Sequence, residues 1–468
     1  MKFTYGKITS RVIAEITGIA GKANTVTDES ILEGYAYDET PRAERHLPRI
    51  VVKPTDSGTI ARLLALASES RIPVTPRGAG TGLSGGCLPV YGGMVLSLER
   101  MNHVLEIDAG KLLAVVEPGV TLADLSSQVE SQGLYYPIYP GEMNATIGGN
   151  IATNAGGMNA VKYGVTRHHV LGLEAVLPGG EIIQTGGAFV KCTSGYDLTQ
   201  LIIGSEGTLA VVTKIILALT IKPPRREVLF IPFSNLQNAI NAVPEILNLK
   251  MTPIGLEFIE KSIIEIVEEY TGKELPFHDF AAALLIIMEG EAEDEIHDYF
   301  AQVEQICQNH GAVAAMIPGT ERARRRLLDA REKFYVALKK YAPLEVIDVV
   351  VPRTEIARLV SRVKEISAEY GVPVIAYGHA GDGNVHLHPL CVNMERREWE
   401  QKLPGMMKEI YRTGVALGGA ISGEHGIGIS KKAYLPLQMN NASLSIMKAI
   451  KQAFDPNNIL NPGKIFDL

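Results

Sequence analysis

The chain has 468 residues, 46% hydrophobic and 21% charged, with a formal net charge of −7. That length exceeds one ordinary core and predicts two or three domains, while the acidic balance argues against a nucleic-acid partner or a polybasic membrane surface. Cys87, Cys192, Cys307 and Cys391 are scattered with no CxxC pair, which argues against iron–sulfur and zinc–thiolate centres and reads as reduced thiols.

The opening residues, MKFTYGKITSRVIAEITG, lack an uninterrupted apolar stretch, so no secretory signal is read. The longest apolar runs, such as 281–288, are too short to span a bilayer. The expectation is a cytoplasmic protein with no transmembrane segment. Residues 1–45 read as a helical lead-in ending at the polar YAYDETPRAERH. A strand at 49–53 meets Pro54, with Thr55, Asp56 and Ser57 as candidate N-caps for a helix whose stripe is Ile60, Leu63, Leu64 and Ala67.

A second strand, 72–75, runs into PRGAGTGLSGG, where Gly80, Gly82 and Gly85 satisfy GxGxxG. A dinucleotide loop of that kind must open a helix, yet Gly86, Leu88, Pro89, Gly92 and Gly93 follow, then a strand near 94–98. The Rossmann reading is refused. The same backbone can still cradle a pyrophosphate, with Arg77 supplying charge.

Next come a strand at 112–117, a helix at 121–133 and a hairpin of 170–177 with 181–185 about Pro178-Gly179-Gly180. Residues 194–219 read as a helix, a glycine turn at 204–207 and a β-rich exit. KPPRRE at 222–227 is the candidate domain boundary. Beyond it, strands at 228–232, 281–288, 346–351 and 374–378 alternate with helices at 235–248, 260–270, 292–310, 322–340 and 354–371, an α+β pattern. The tail at 454–466 reads as coil.

Between the 121–133 helix and the hairpin lies 140–164, PGEMNATIGGNIATNAGGMNAVKYG. Six glycines and four asparagines accompany only two charged residues, Glu142 and Lys162. No helical or alternating pattern persists, so the expectation is coil wrapped on a ligand, since solvent loops favour Ser, Lys and Glu.

Two clusters carry candidate chemistry. In YGHAGDGNVHLHPL (377–390), His386 and His388 share a strand face, and the Gly381-Asp382-Gly383 turn can fold His379 towards them. Each histidine alone reads equally well as a core or surface residue; the three together form a metal-site pattern. In ISGEHGIGISKK (421–432), Glu424 offers a hard oxygen ligand and His425 a general base near neutral pH. The arginines Arg322, Arg324, Arg325, Arg326 and Arg331 lie in a predicted helix and mostly read as a solvated face; spacing alone does not single out Arg331.

PRGAGTGLSGG, PGEMNATIGGNIATNAGGMNAVKYG, GSEGTLAVVTKI, GHAGDGNVHLH, SGEHGIG and FDPNNILNPGK follow one another along nearly the whole chain. In this order they resemble the FAD-linked D-2-hydroxy-acid dehydrogenases of the vanillyl-alcohol oxidase superfamily. The resemblance implies an α+β chain: a PCMH-type FAD-binding domain of two α/β subdomains at 1–222, an α+β cap domain with an antiparallel sheet at 223–415, and a segment 416–468 returning to the FAD domain. It places FAD against Pro76, Arg77, Gly78, Ala79, Gly80, Thr81 and Gly82. Pro140, Gly141, Thr146, Gly148, Gly149, Asn150, Asn154, Gly156, Gly157, Tyr163 and Gly164, with Glu206, Gly207 and Asn461, would complete that site. No histidine stands at 77–81, so non-covalent FAD is expected.

The same resemblance makes His379, His386 and Glu424 ligands of one divalent metal (Zn, Fe or Mn). It makes His425 the catalytic base and Arg331 the arginine for the substrate carboxylate. His388 stands where the hydroxyglutarate enzymes have asparagine and Tyr335 where they have threonine, and no lysine precedes Asp348. A small substrate, D-lactate or glycolate, is therefore expected near Arg331, Tyr335 and His388. Electrons would pass to an electron-transfer flavoprotein or an iron–sulfur subunit. The rival readings are a D-2-hydroxyglutarate-type enzyme and a non-redox metal protein whose glycine loops bind a nucleotide passively.

Overall fold

The computed structural model describes residues 3–274 and 279–468; Met1 and Lys2, the start of the expected lead-in, lie outside the described residues. The chain divides into two units, one comprising Met1–Ala155, Val165–Lys222 and Glu424–Leu468, the other Gly156–Gly164 and Pro223–Gly423. Two pieces fall differently from the expected division. Gly156–Gly164, expected with the first domain, belongs to the second unit, and so do residues 416–423, where Ala420 bridges Val350.

In the first unit, Asp56 caps the helix Ser57–Glu69 by accepting from the Thr59 N–H at 2.7 Å, a contribution of about 1 kcal/mol. Ile60, Leu63, Leu64 and Ala67 of that helix are buried against the strands Ile50–Val52 and Val74–Arg77. Met94–Ser97 lies between those two strands and parallel to both, and Thr25–Val26 joins the edge antiparallel. Residues 81–93 turn repeatedly without forming a helix, as the refused Rossmann reading requires.

A second sheet of the same unit is antiparallel, ordered Val104–Asp108, Leu113–Val116, Val211–Ala218, Val170–Val176, Ile182–Gly186. Sequence periodicity does not reveal Val104–Asp108, because its middle residues Leu105 and Glu106 are both exposed. The C-terminal stretch is coil held by a local anchor. Asp455 accepts from the Ile459 and Leu460 N–H groups, while Lys451 donates to the Thr208 and Leu460 carbonyls. Leu460 then bridges Val74, which brings the tail to the parallel sheet.

The expectation of plain coil at 140–164 is corrected: Ile147–Thr153 is a helix and Ala160–Tyr163 another short one. Thr146 caps the first by accepting from Gly149 N, and Asn154 ends it in a left-handed conformation at φ 53°. Ile147 and Ile151, one turn apart, are buried, so one apolar face suffices where glycine content argued against a helix. Gly148 is there for approach. A Cβ on it would meet the Pro118 ring and carbonyl at 2.7 and 2.9 Å.

The second unit is built on a six-stranded antiparallel sheet. Its order is Arg225–Phe233, Ala282–Gly290, Gly255–Glu260, Val374–His379, Asn384–Pro389, Ile347–Val350. Ala282–Gly290 is buried on both faces from Ala282 to Glu289, which explains an apolar run without alternation. Ile263, Val267, Leu327, Phe334 and Leu338 from three helices pack on Val228, Phe230, Leu285 and Ile287.

The helix expected at 322–340 is two, Glu321–Glu332 and Phe334–Tyr341, broken at Lys333 where ψ is 0°. The break lets Phe334, Ala337 and Leu338 enter the core. A long helix, Arg396–Ala416, was hidden in sequence by Pro404-Gly405; the buried series Trp399, Leu403, Met406, Met407, Ile410, Tyr411 outweighs a proline cost of about 3 kcal/mol. Inside this unit, the Gly156–Gly164 piece is held by Glu289, which accepts from Lys162 Nζ at 3.0 Å and from the Tyr163 hydroxyl.

Candidate active site

The glycine loops of the first unit converge as backbone. A Cβ at Gly78 would lie 2.3 Å from Thr146 Oγ1, so the Pro76–Gly82 segment and the N-terminus of the Ile147–Thr153 helix approach too closely to admit one. Gly207 sits at φ 66°, and a Cβ on it would reach ordinary contact with Pro76 and Asn461. Asn461 Nδ2 donates to the Gly86 and Glu206 carbonyls at 2.8 and 2.7 Å. Glu206 and Gly204 N–H groups donate to the Ala152 and Ile151 carbonyls, and Asn154 Oδ1 accepts from Arg167 N.

Non-glycine residues with left-handed backbone gather here: Asn154, Glu206 and Asn461. Such strain concentrates where a ligand is gripped. Among the described residues, buried Asn150 Nδ2 has no hydrogen-bond partner and is a donor at the edge of the cradle. Converging backbone, strained turns and an orphan donor fit a large anionic cofactor.

The Arg77 guanidinium donates to the Tyr37 carbonyl at 2.8 Å and to Cys87 Sγ at 3.2 Å, and it lies against Gly80 of the glycine loop, where a Cβ would meet Nη2 at 2.1 Å. Burial pushes the Cys87 thiol up to about 11 despite that cation. Tyr163, expected at the cofactor, has its hydroxyl on Glu289.

Glu206 also fixes the second chemical cluster. Its two carboxylate oxygens accept from Ile427 N and Gly428 N at 2.7 Å each, and Ser84 Oγ donates to the His425 carbonyl at 2.9 Å. Gly428 admits Ser84, since a Cβ there would sit 2.0 Å from the Ser84 carbonyl oxygen. Burial raises the Glu206 carboxyl although those two N–H groups stabilise its charged form. Glu424 and His425 are therefore carried on a backbone clamped within the first unit, with His425 Nε2 3.8 Å from the Glu424 carboxylate.

The second unit holds the other cluster. The strands Val374–His379 and Asn384–Pro389 form a hairpin whose turn requires Gly383 at φ 92°, where a Cβ would meet the Val351 carbonyl at 2.0 Å. Asp382 steadies the turn by accepting from Asn384 N at 3.0 Å. His379 and His386 bring their Nε2 atoms to 3.3 Å, while His388 turns away to pair its Nε2 with the Tyr377 hydroxyl at 3.0 Å. Two of the three expected histidines converge; the third serves Tyr377.

Two nitrogens each about 2.0–2.1 Å from one tetrahedral ion stand about 3.3 Å apart, so the pair fits a divalent metal. His379 Nδ1 contacts Glu257 Oε1 at 2.6 Å, the carboxylate–histidine relay that orients metal-binding imidazoles. The other oxygen, Glu257 Oε2, receives Arg331 Nε and Nη2 at 2.8 and 2.5 Å. Burial alone would raise the Glu257 carboxyl, but His379 and Arg331 outweigh it and hold it below its ordinary value. Arg331 lies over the Tyr377 and Phe334 rings at 5.1 and 5.2 Å. Tyr377 stacks on His388, and the Tyr335 ring stands 6.1 Å from His388.

Sequence reasoning missed Glu257, Asp348, Asn384 and Tyr377. Asp348 pairs across the sheet with His386, accepts from Asn384 Nδ2 at 2.7 Å, and holds Ser422 Oγ and Gly423 N at 2.9 and 3.0 Å. The available signal was acid placed inside buried apolar strands, Glu257 in GLEFIE and Asp348 in IDVV. Such acids need partners, and partners of this kind mark sites.

The first unit carries a glycine-loop cradle, and the second carries a histidine–arginine cluster on its sheet. Residues 48–186 match the FAD binding domain family, and residues 222–465 match the C-terminal domain of the FAD linked oxidases. The chain belongs to the FAD-linked oxidase family and is an FAD-dependent oxidoreductase. It is 41% identical over 98% of its length to glycolate oxidase subunit GlcD of Bacillus subtilis, covering 97% of that protein. It is 43% identical over 92% of its length to a D-lactate dehydrogenase of Archaeoglobus fulgidus, covering 95% of it. Its fold is that of p-cresol methylhydroxylase, at a TM-score of 0.80 and 18% identity, covering 98% of this chain and 96% of that one.

Proposed function

We propose that this protein oxidises a small D-2-hydroxy acid, D-lactate or glycolate, to the 2-oxo acid and passes the electrons to a protein acceptor. The observation that carries the reading is the buried cluster of the second unit: Arg331, a cation set on an aromatic shelf, linked through Glu257 to His379, whose Nε2 converges with that of His386. Relatives named for D-lactate and glycolate chemistry support the same substrate class.

Bound FAD supplies the hydride acceptor, and a divalent cation supplies a Lewis acid for the hydroxy acid's oxygens. The protein's own work is binding, orientation and proton transfer. Arg331 takes the substrate carboxylate, for which a planar fork is better suited than an ammonium. His379 and His386 would hold the metal, with Glu424 as the third ligand that the family resemblance implies. His425 accepts the hydroxyl proton at an imidazole nitrogen, a general-base contribution of about 10²–10⁴-fold. The rings of Tyr335 and His388 stand side by side next to the Tyr377 shelf. Bulk at that place favours a short acid over one with a second carboxylate.

The test is an anaerobic panel of D-lactate, L-lactate, glycolate and D-2-hydroxyglutarate, read by bleaching of the yellow flavin. Rapid bleaching by D-lactate or glycolate is expected. Bleaching by D-2-hydroxyglutarate alone would move the assignment to the dicarboxylate branch, and no bleaching by any acid would sink it.

A further inference from the structure

Glu257 sits in the middle of the strand Gly255–Glu260, 0% exposed, between Leu256 and Phe258. A carboxylate in such a place is tolerated only when both oxygens are matched. Here they are matched to two different functional groups. Oε1 faces His379 Nδ1 at 2.6 Å, and His379 is its direct cross-strand neighbour. Oε2 faces Arg331 Nε and Nη2 at 2.8 and 2.5 Å, and Arg331 arrives from the helix Glu321–Glu332.

An ionised carboxylate accepts only, so the proton between Glu257 and His379 belongs to Nδ1. That leaves Nε2 as a lone-pair donor, facing His386. We propose that Glu257 is a positioning residue acting on two partners at once. Oε1 fixes the His379 tautomer that binds a divalent cation, and Oε2 fixes Arg331 for the carboxylate of the hydroxy acid. This deepens the hydroxy-acid reading and rests on it. One side chain thus couples metal affinity to substrate affinity, although it touches neither ligand.

Glutamine cannot replace it. An amide has one accepting oxygen and one donating NH₂, so whichever way it is turned, either the His379 Nδ1–H or the Arg331 guanidinium meets a donor. Aspartate keeps the charge but is one methylene too short to reach both partners.

The experiment compares FAD-loaded full-length wild type, Glu257→Gln and Glu257→Asp. The readouts are Zn²⁺ and Mn²⁺ affinity by chelator competition, flavin content, and the separate KM and kcat for the best acid of the panel. Expected in Glu257→Gln are a metal Kd weakened about 10–100-fold, the range for loss of such an outer partner, a raised KM, and unchanged flavin content. Where Glu257→Gln fails to accumulate as folded protein, Glu257→Asp, which keeps a negative charge against Arg331, is read instead for the same joint shift. Unchanged metal Kd and KM in a folded variant beside a metal-binding wild type overturn the inference alone. A wild type that takes up neither metal overturns the metal reading and this inference with it.

Discussion

His379 Nε2 lies 3.3 Å from His386 Nε2 across the turn Ala380–Gly383. Two ring nitrogens so close repel as lone pairs unless a proton or a metal sits between them. His379→Ala and His386→Ala should each weaken metal binding by more than the roughly 10–100-fold cost of losing an outer partner. Flavin content should stay at the wild-type level, because the glycine cradle belongs to a different unit. Metal analysis and flavin absorbance on the same sample check both halves; variants that keep full metal after chelator treatment contradict the ligand assignment.

Gly78 offers a test of the cradle. A Cβ there would stand 2.3 Å from Thr146 Oγ1, the atom that caps the Ile147–Thr153 helix. Gly78→Ala should therefore displace that cap, at a cost of about 1 kcal/mol, and lower FAD occupancy while metal binding through His379 and His386 persists. Acid precipitation of the wild type should leave a colourless pellet, since no histidine stands at 77–81. A yellow pellet would show a covalent flavin instead.

Lys464 gives a pH dependence. It is buried, its ammonium donating to the Leu88 carbonyl at 2.6 Å, and burial lowers it from 10.5 to about 8 although Cys87, Glu206 and Asp38 favour the charged form. Across that window the unfolded chain holds a proton the folded chain has released, so stability from this site rises with pH. Cys87, pushed up to about 11, works in the opposite sense but is present in both proteins compared. The unfolding free energy of wild type relative to Lys464→Met should grow by up to about 3 kcal/mol as pH climbs through the window. Urea titrations at several pH values measure it, and a flat or falling difference would refute the assignment.

The route of the electrons can be decided kinetically. The four cysteines are free thiols, and among the described residues no helix is long and apolar enough to cross a membrane. We expect slow reoxidation by oxygen and rapid turnover with an artificial dye or a cognate redox protein. Stopped-flow reoxidation checks this; oxygen consumption matching dye-linked turnover would identify a self-sufficient oxidase.

The sequence by itself determined the local parts of the molecule. The Asp56 cap with its Ile60 and Leu63 stripe, the hairpin at Pro178-Gly179-Gly180, and the glycine turn that folds His379 back towards His386 all depend on neighbours within a dozen residues, whereas the turning of His388 to Tyr377 was not foreseen. It also marked the ligand-wrapping glycine loop, though it missed the helix inside it, because the close approach of Gly148 to Pro118 is a contact between distant residues. What only the tertiary structure decided is the set of charges around the histidines. Glu257 meets His379 across 122 residues and Arg331 across 74, and Asp348 meets Asn384 across 36. No local pattern encodes such pairs. Each is an acid inside an apolar strand, and it acquires a role only when folding removes water from it and leaves the named partners to satisfy its charge.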